Sequence, residues 1–301
     1  MSRDWESTFR TWSKPSSDTE AEKCANAVRM VRDAIRECDF LKRRNIDVFP
    51  QGSYRNNTNV RVDSDVDICV LCKDTYFYDL SLSGGLTPQD IGIIPSTYDY
   101  AQFKSDVEKA LKAKFGERGV VRGNKAFDIH ANSYRVDADI IACFEHRRYH
   151  RKSEGGFYSL FGTKFLSDKG GEVENWPQQH YENGLVKNKA TGNRFKFITR
   201  AIKRLRYEME EKGFTAAKPI PSYLIECLIW NVPDGGFGHT DFAADVRYAL
   251  AHVFNETMTD EKCGEWGEVN ELKYLFGSAQ PWTRVQAHAF ADAAWNYIGF
   301  E

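Results

Sequence analysis

A Gly-Ser pair followed, after eleven residues, by Asp-Val-Asp at the head of an apolar run limits the folds open to this 301-residue chain. In a β-strand, residues i and i+2 project from the same face, so Asp65 and Asp67 would stand side by side with their backbones about 7 Å apart. Val66, Ile68 and Val70 would point to the opposite face, into a core. The pattern therefore predicts a strand with one apolar face and two carboxylates on the other.

Such a strand suits a site that binds divalent metal ions. Two carboxylates forced together repel, and each resists ionisation unless a cation lies between them. Mg²⁺ prefers oxygen ligands, commonly one or two carboxylates together with substrate phosphates. Two such ions about 4 Å apart can hold the attacking and leaving oxygens of a phosphoryl displacement, and Mn²⁺ is an alternative. A turn at Gly52 and Ser53 would offer backbone N–H groups and a hydroxyl to a triphosphate, because glycine has no Cβ in the way.

A second acidic run, residues 134–144, also alternates like a strand. Its apolar residues share one face, and Asp137 and Asp139 share the other. Neighbouring strands lie about 4.8 Å apart, so a carboxylate from this strand can reach the same metal ions. The spacing alone does not choose between Asp137 and Asp139. The alternative interpretation is a surface-exposed acidic strand with no metal.

The whole pattern resembles the polymerase-β-like nucleotidyltransferases. Within them it is most similar to the bacterial CD-NTases, relatives of cyclic GMP-AMP synthase and oligoadenylate synthase that make nucleotide second messengers in anti-phage defence. The segments that carry this resemblance are 51–56, 63–67 and 138–143. The resemblance makes Asp139 the third metal ligand beside Asp65 and Asp67, and it implies nucleotide binding by Gln51, Gly52 and Ser53.

Further segments are similar to the E clade of that family, namely 145–149, 175–177, 180–184 and 221–227. In such enzymes an Asn just before an aromatic-Pro pair helps to recognise a pyrimidine base, and Asn175 stands at that position. An Asn amide offers a donor and an acceptor, so it can pair with a uracil edge. The alternative is that Asn175 only turns the chain before Pro177.

The helical pattern near residues 195–212 has a basic face opposite its apolar stripe. That face includes Lys196, Arg200 and Lys203. A basic face toward a cleft would hold a triphosphate, whereas the alternative is an ordinary solvated face. The resemblance favours a phosphate-binding role for Lys203 and, less strongly, for Arg200.

Ser222 and Tyr223 open a strongly apolar helix that is entered through Pro221. In similar enzymes this Ser-Tyr pair lies near the nucleotide, and the aromatic ring stacks on a base. The alternative for Ser222 is a simple N-cap role.

Composition excludes several classes of function. The formal net charge of −2 provides no basic field, so we expect no constitutive nucleic-acid binding. No apolar run approaches the roughly 18 residues of a membrane span, and the N-terminus lacks the apolar core of a signal peptide. The seven scattered cysteines predict reduced, buried thiols and a cytoplasmic protein. We also expect a monomer.

The expected fold class is α+β. The resemblance implies a polymerase-β-like core, a mixed sheet with helices, over residues 1–185, including an N-terminal spine helix at 18–40. A helical lobe over residues 186–301 would complete the nucleotide pocket, with the cleft between them. We further expect a loop-rich stretch at 74–100, a helix at 98–116 and a long connection at 150–193 that shapes the pocket.

The resemblance implies a cyclic dinucleotide synthase of anti-phage (CBASS) signalling. It would join two nucleoside triphosphates, UTP and ATP, into cyclic UMP-AMP or cyclic di-UMP, which a downstream effector would read. Three alternatives share the fold. They are a nucleotidyltransferase with another acceptor (an RNA end, a protein or a small molecule), a synthase activated by double-stranded RNA, and a non-catalytic nucleotide sensor.

Overall fold

The computed structural model describes residues 3–60 and 65–300, so motif residues 63 and 64 lie outside the described part. The described chain forms two compact units. The sheet unit comprises residues 17–54 and 65–177, and the helical unit comprises residues 3–16, 55–60 and 178–300. The boundary predicted at residue 185 falls inside a helix of the helical unit, which also takes in two segments from the first 60 residues.

The helices and strands follow one another along the chain with these bounds. They are α1 (Trp5–Trp12), α2 (Asp18–Glu37), β1 (Ile46–Pro50), α3 (Gly52–Asn56), β2 (Val66–Leu82), α4 (Tyr100–Phe115), β3 (Val120–Arg122), β4 (Phe127–Ile129), β5 (Ala138–Arg151), β6 (Phe157–Leu166), β7 (Glu172–Asn175), α5 (Pro177–Ala190), α6 (Arg194–Glu211), α7 (Ser222–Trp230), α8 (Phe242–Glu256), α9 (Asp260–Cys263) and α10 (Arg284–Ile298).

The sheet is mixed, as the sequence predicted. Strands follow the order β1-β2-β5-β4-β3, in which β2 and β5 run parallel and the other pairs run antiparallel. The far half of β5 pairs with β6, and β6 pairs with β7. Two long strands, β2 and β5, therefore form the centre of the sheet, and each carries one of the acidic runs.

Helices α2 and α4 supply the rest of the core of the sheet unit. The Ser17 side chain accepts the Glu20 N–H and caps α2, which ends at Glu37, three residues before the predicted end. Val31 and Ile35 of α2 and Phe103 of α4 join the buried cluster of the sheet. Burying these stripes stabilises the strands that carry the acidic residues.

Two stretches predicted to lack regular structure contain more of it than expected: the loop-rich prediction holds for residues 83–99 but was wrong for 74–82, and the long connection at 150–193 was wrong. Residues 74–82 belong to β2, because β5 continues as its partner past two shifts in register. Residues 150–193 contain the end of β5, then β6, β7 and α5. Gly155 and Gly156, both with positive φ, lie in the hairpin between β5 and β6. The buried face of α5 consists of His180, Gly184 and Lys187, so this helix has no apolar stripe to reveal it.

The helical unit has its own apolar core, to which α6, α7, α8 and α10 contribute. The predicted stripe of α6 is buried, since Ile198, Ile202, Leu205 and Met209 are at most 1% exposed. Among the helices of the described residues, none has both the length and the apolar character that crossing a bilayer requires. All seven cysteines are free thiols, as predicted.

Candidate active site

The parallel register of β2 and β5 brings the two acidic runs together. Asp67 lies directly opposite Asp139, and Val66 lies opposite Ala138. Val66 is fully buried, whereas Asp67 and Asp139 are half-buried and Asp65 is exposed. The apolar face is confirmed, but the acidic face is limited to the start of the two strands: Asp65 precedes β2, and Cys69, two residues after Asp67, is already buried.

The carboxylates resist ionisation because they are partly buried and lie near one another. Burial, followed by the charge of Asp65, raises the pKa of Asp67 to about 6. Burial, followed by the charges of Asp65 and Asp67, raises the pKa of Asp139 to about 7. Burial and two further acids also raise the pKa of Asp65. A bound cation would reverse these shifts, because opposite charge favours the ionised form.

The structure distinguishes Asp137 from Asp139. Asp137 precedes β5, and its side chain accepts the backbone N–H of Ala131. Asp139 belongs to β5 and lies opposite Asp67 in the strand register. A fourth acid, Asp128 of β4, lies opposite Asp139 on the other side and contributes to its raised pKa. Sequence reasoning missed Asp128, because a strand of three residues gives almost no periodic signal.

The donor set fits hard divalent cations. Ionised carboxylates only accept hydrogen bonds, and their oxygens are the ligands that Mg²⁺ prefers. The described residues contain no group of three His, Cys, Asp or Glu side chains already placed to hold a metal ion. The ligand assignment therefore stays a prediction.

Gly52 lies against the carboxylate of Asp67. The N–H of Gln51 donates to the Asp67 carbonyl over 2.8 Å. Gly52 has φ +65°, and a Cβ placed there would lie 2.3 Å from Asp67 Oδ2. The Gly-Ser pair begins the short helix α3 rather than a simple turn, with Ser53 half-buried beside it. Glycine is thus required for contact with a carboxylate, while its role toward phosphate stays a prediction.

Asn175 ends β7 opposite Thr163 of β6. Its side chain is half-buried, and it is followed by Trp176, which is 1% exposed, and by Pro177 at the start of α5. The predicted aromatic-Pro pair thus marks a change from strand to helix. Base recognition by Asn175 is untested.

The predicted basic face of α6 is buried in the helical unit. Lys203 Nζ lies 2.7 Å from Glu226 Oε2 and donates to the Thr58 carbonyl and hydroxyl over 3.2 and 3.1 Å. Arg200 Nε donates to the Ser13 carbonyl over 2.7 Å. Both cations are 1% exposed, so neither belongs to a solvated face.

Glu226 is the acid at the centre of this network. It accepts the Thr58 hydroxyl over 2.6 Å, and its other oxygen lies 2.9 Å from His180 Nε2. Burial alone would raise the pKa of Glu226, but Lys203 and His180 outweigh it and hold the pKa well below its usual value. The segments that resemble the family include Glu226 and His180, but the resemblance assigns them no role. Sequence reasoning missed their interaction because an ion pair between two helices has no recognisable spacing in the sequence.

Ser222 is the first residue of α7, and its hydroxyl lies 2.7 Å from Tyr207 Oη. Pro221 holds the N-cap position, so the capping alternative for Ser222 was wrong. The Tyr223 hydroxyl donates to Glu268 over 2.8 Å, and its ring packs near His180 and Trp282. Stacking of Tyr223 on a base stays a prediction.

We expect Gly52→Ala to weaken Mn²⁺ binding at least tenfold, because the new Cβ would displace the Asp67 carboxylate. Calorimetry with Mn²⁺ measures this change. Gly92→Ala is the matched control, since Gly92 has φ +68° but nothing within 4 Å of its Cβ position. Both substitutions carry the left-handed strain of about 1–2 kcal/mol, so equal Mn²⁺ affinity in the two variants would contradict the assignment.

The raised pKa values also predict a pH dependence of stability in metal-free buffer. A carboxyl whose pKa is raised on folding stabilises the protein below its unfolded value near 4, and this contribution is lost as pH rises through the folded value. The wild type should therefore lose free energy of unfolding between pH 4 and pH 7, through Asp67 at about 6 and Asp139 at about 7. Asp67→Asn with Asp139→Asn should flatten this decline in urea titrations.

Asp79→Asn, also on β2, provides a control, because Asp79 should change stability with pH in the opposite direction. Although burial would raise the pKa of Asp79, Ser81 and Arg148 lower it, so its contribution is present at neutral pH and lost on acidification. If the double Asn variant declined as steeply with pH as the wild type, the raised pKa values of Asp67 and Asp139 would be refuted.

Comparison with known proteins places the chain among known enzymes. A model of the cGAS/DncV-like nucleotidyltransferase C-terminal helical domain matches residues 182–299. The cyclic dipyrimidine nucleotide synthase CdnE of Legionella pneumophila is 52% identical over 99% of this chain and 99% of that protein. The cyclic UMP-AMP synthase of Rhodothermus marinus is 34% identical over 92% of this chain and 97% of that protein.

Solved structures agree. The Rhodothermus marinus CdnE c-UMP-AMP synthase with Apcpp and Upnpp has a TM-score of 0.84 at 29% identity, covering 98% of this chain and 97% of that chain. The Elizabethkingia meningoseptica CdnE synthase with GTP and Apcpp has a TM-score of 0.81 at 34% identity, covering 98% and 99%. The expected fold class is confirmed, and the chain belongs to the CD-NTase family of nucleotidyltransferases.

Proposed function

We propose that the protein is a cyclic dinucleotide synthase that joins two nucleoside triphosphates, at least one of them a pyrimidine nucleotide. The observation that carries this proposal is the 52% identity, over nearly the whole chain, to a synthase of cyclic dipyrimidine nucleotides. A second enzyme of that name is 40% identical, whereas a cyclic dipurine synthase is 35% identical. The similarity therefore favours a pyrimidine substrate, and UTP with UTP or ATP is our assignment.

Asp65, Asp67 and Asp139 would hold two Mg²⁺ ions, with Mn²⁺ as a substitute. When bound, the ions lower the pKa of the acceptor hydroxyl and neutralise charge that develops on the departing pyrophosphate. The support in this chain is the register of Asp67 with Asp139 and the raised pKa of all three acids.

The reaction consists of two similar transfers. The ribose hydroxyl of the acceptor loses its proton to Asp139, and its oxygen forms a bond to the α-phosphorus of the donor. The bond from that phosphorus to the oxygen bridging the β-phosphate breaks, and pyrophosphate leaves. The linear dinucleotide then closes through a second transfer. The chain contributes mainly by holding the reacting groups in place.

Nucleotide binding is assigned to the residues that the sequence predicted for it, apart from two cations. Gln51, Gly52 and Ser53 would contact the triphosphate, supported by the close approach of this segment to Asp67. Asn175 would read the pyrimidine, and Tyr223, with Ser222 beside it, would stack on a base.

Arg200 and Lys203 require a different assignment. The Lys203 ammonium has three acceptors within hydrogen-bond distance, and Arg200 donates to the carbonyls of Ser13 and Asn57. We propose that both cations serve the nucleotide indirectly, by holding residues 57 and 58, which follow the Gly-Ser pair in the sequence.

The family also suggests a biological setting. The product would be a second messenger of anti-phage (CBASS) signalling that a downstream effector reads. A cytoplasmic location, a monomeric state and the absence of constitutive nucleic-acid binding belong to the same proposal.

Incubation with four labelled triphosphates and Mg²⁺ tests the function. We expect a phosphatase-resistant product that contains label from UTP, with no added acceptor. Asp65→Asn with Asp67→Asn should lower its formation at least 100-fold, because metal ligation supplies several kcal/mol to the transition state.

Asp137→Asn is the matched control, since Asp137 is bound to the Ala131 N–H, and it should keep activity within about tenfold. Two results would overturn the proposal. One is label transfer that occurs only when RNA, protein or another acceptor is added. The other is undiminished product from the Asp65→Asn, Asp67→Asn variant.

Base reading by Asn175 is tested separately. Asn175→Ser removes the amide donor and acceptor, so we expect the incorporation of UTP relative to ATP to fall about tenfold, or about 1.4 kcal/mol. Competition between equal concentrations of the two triphosphates gives this ratio. An unchanged ratio would refute base reading by Asn175 and leave it a purely structural role at the end of β7.

A further inference from the structure

Gly162 of β6 lies unusually close to the end of β7. A Cβ placed there would lie 2.6 Å from the Asn175 carbonyl oxygen and 2.8 and 3.0 Å from two carbons of the Trp176 ring. Side-chain carbons essentially never approach below 3.0 Å. Gly162 lies within a strand, opposite His146, and its φ is not positive. It is therefore required for close approach, not for backbone conformation.

Three groups of the sheet unit hold Trp176 in place, and we call them the Trp176 seat: Gly162, His146 and Arg148. The His146 ring meets the indole edge-on, with centroids 5.4 Å apart. The Arg148 guanidinium lies 4.7 Å from the indole centroid. His146 is 0% and Trp176 1% exposed, so the indole has little freedom to move.

The seat also fixes Asn175, because Asn175 is the residue before Trp176. Pairing with Thr163 fixes Asn175 from the side of β6, and the seated indole fixes it from the C-terminal side. A side chain at position 162 would push the Asn175 carbonyl away by at least about 0.4 Å. Amide recognition of a base edge depends on distances of 2.7–3.2 Å, so a shift of this size weakens it.

We propose that Gly162 is a specificity-determining residue, which seats Trp176 and so sets the position from which Asn175 reads the base. This inference rests on the proposed function and on Asn175 as the reader of the pyrimidine. Gly162 acts through its neighbours and is a positioning residue, not a catalytic one.

Gly162→Ala tests the proposal by the base composition of the product. With UTP and ATP in competition, we expect the uridine share relative to adenosine to fall at least fivefold. Unfolded molecules make no product, so partial unfolding lowers the yield but leaves this ratio unchanged. Gly119→Ala is the control, because its Cβ would meet only Phe115, at an ordinary 3.5 Å, and it should keep the wild-type ratio.

Trp176→Phe provides a second variant, which keeps an aromatic ring but loosens the seat, and it should shift the ratio in the same direction. If Gly162→Ala makes no product, the uridine-to-adenosine ratio of the Trp176→Phe product tests the proposal instead. If neither makes product, the relative affinities for non-hydrolysable UTP and ATP analogues measure the same preference.

An unchanged base ratio in the variants, with an active wild type, would overturn the role of Gly162 and leave the proposed function intact. A wild type that makes no cyclic product from triphosphates would instead overturn the proposed function, and the inference with it.

Discussion

Parallel pairing of β2 with β5 is the constraint on which the candidate site depends. Pairing places Asp67 opposite Asp139, and the buried residues between the acids prevent either strand from shifting by one residue. Such a shift would turn the acids of that strand toward the face that carries Val66 and Ile68, which are fully buried. The hydrophobic core therefore keeps the carboxylates together, and their pKa values are raised first by burial and then by the charges of neighbouring acids.

The helical unit stabilises a charged network by a different route. Burying an ion costs several kcal/mol unless partners compensate, and here Lys203, Glu226 and His180 compensate one another. Thr58 joins them, so the chain just after the Gly-Ser motif has a fixed path. Different interactions therefore fix different parts of this stretch of chain. Burial of apolar residues fixes the position of Asp67, and buried ion pairs fix the position of Thr58.

Local patterns predicted the acidic strands, α2, α4 and the apolar stripe of α6, because alternation and helical periodicity are visible within a few residues. The same patterns failed for β6, which pairs with β5, for β7, which pairs with β6, and for α5, whose buried face is formed by His180, Gly184 and Lys187. The basic face of α6 looked solvent-facing because Glu226, its partner, is 23 residues away along the chain. The third carboxylate could be chosen only by family resemblance or by the strand register.

The tight fit between Gly52 and Asp67 has a consequence for recognising inactive relatives. While an acid occupies position 67, a side chain at position 52 collides with it and is also strained by the positive φ. Once that acid is replaced by a smaller residue, only the backbone preference remains, which Asn also tolerates. Asn at the position of Gly52 in a relative therefore indicates that this relative is a candidate inactive enzyme, even before its carboxylates are inspected.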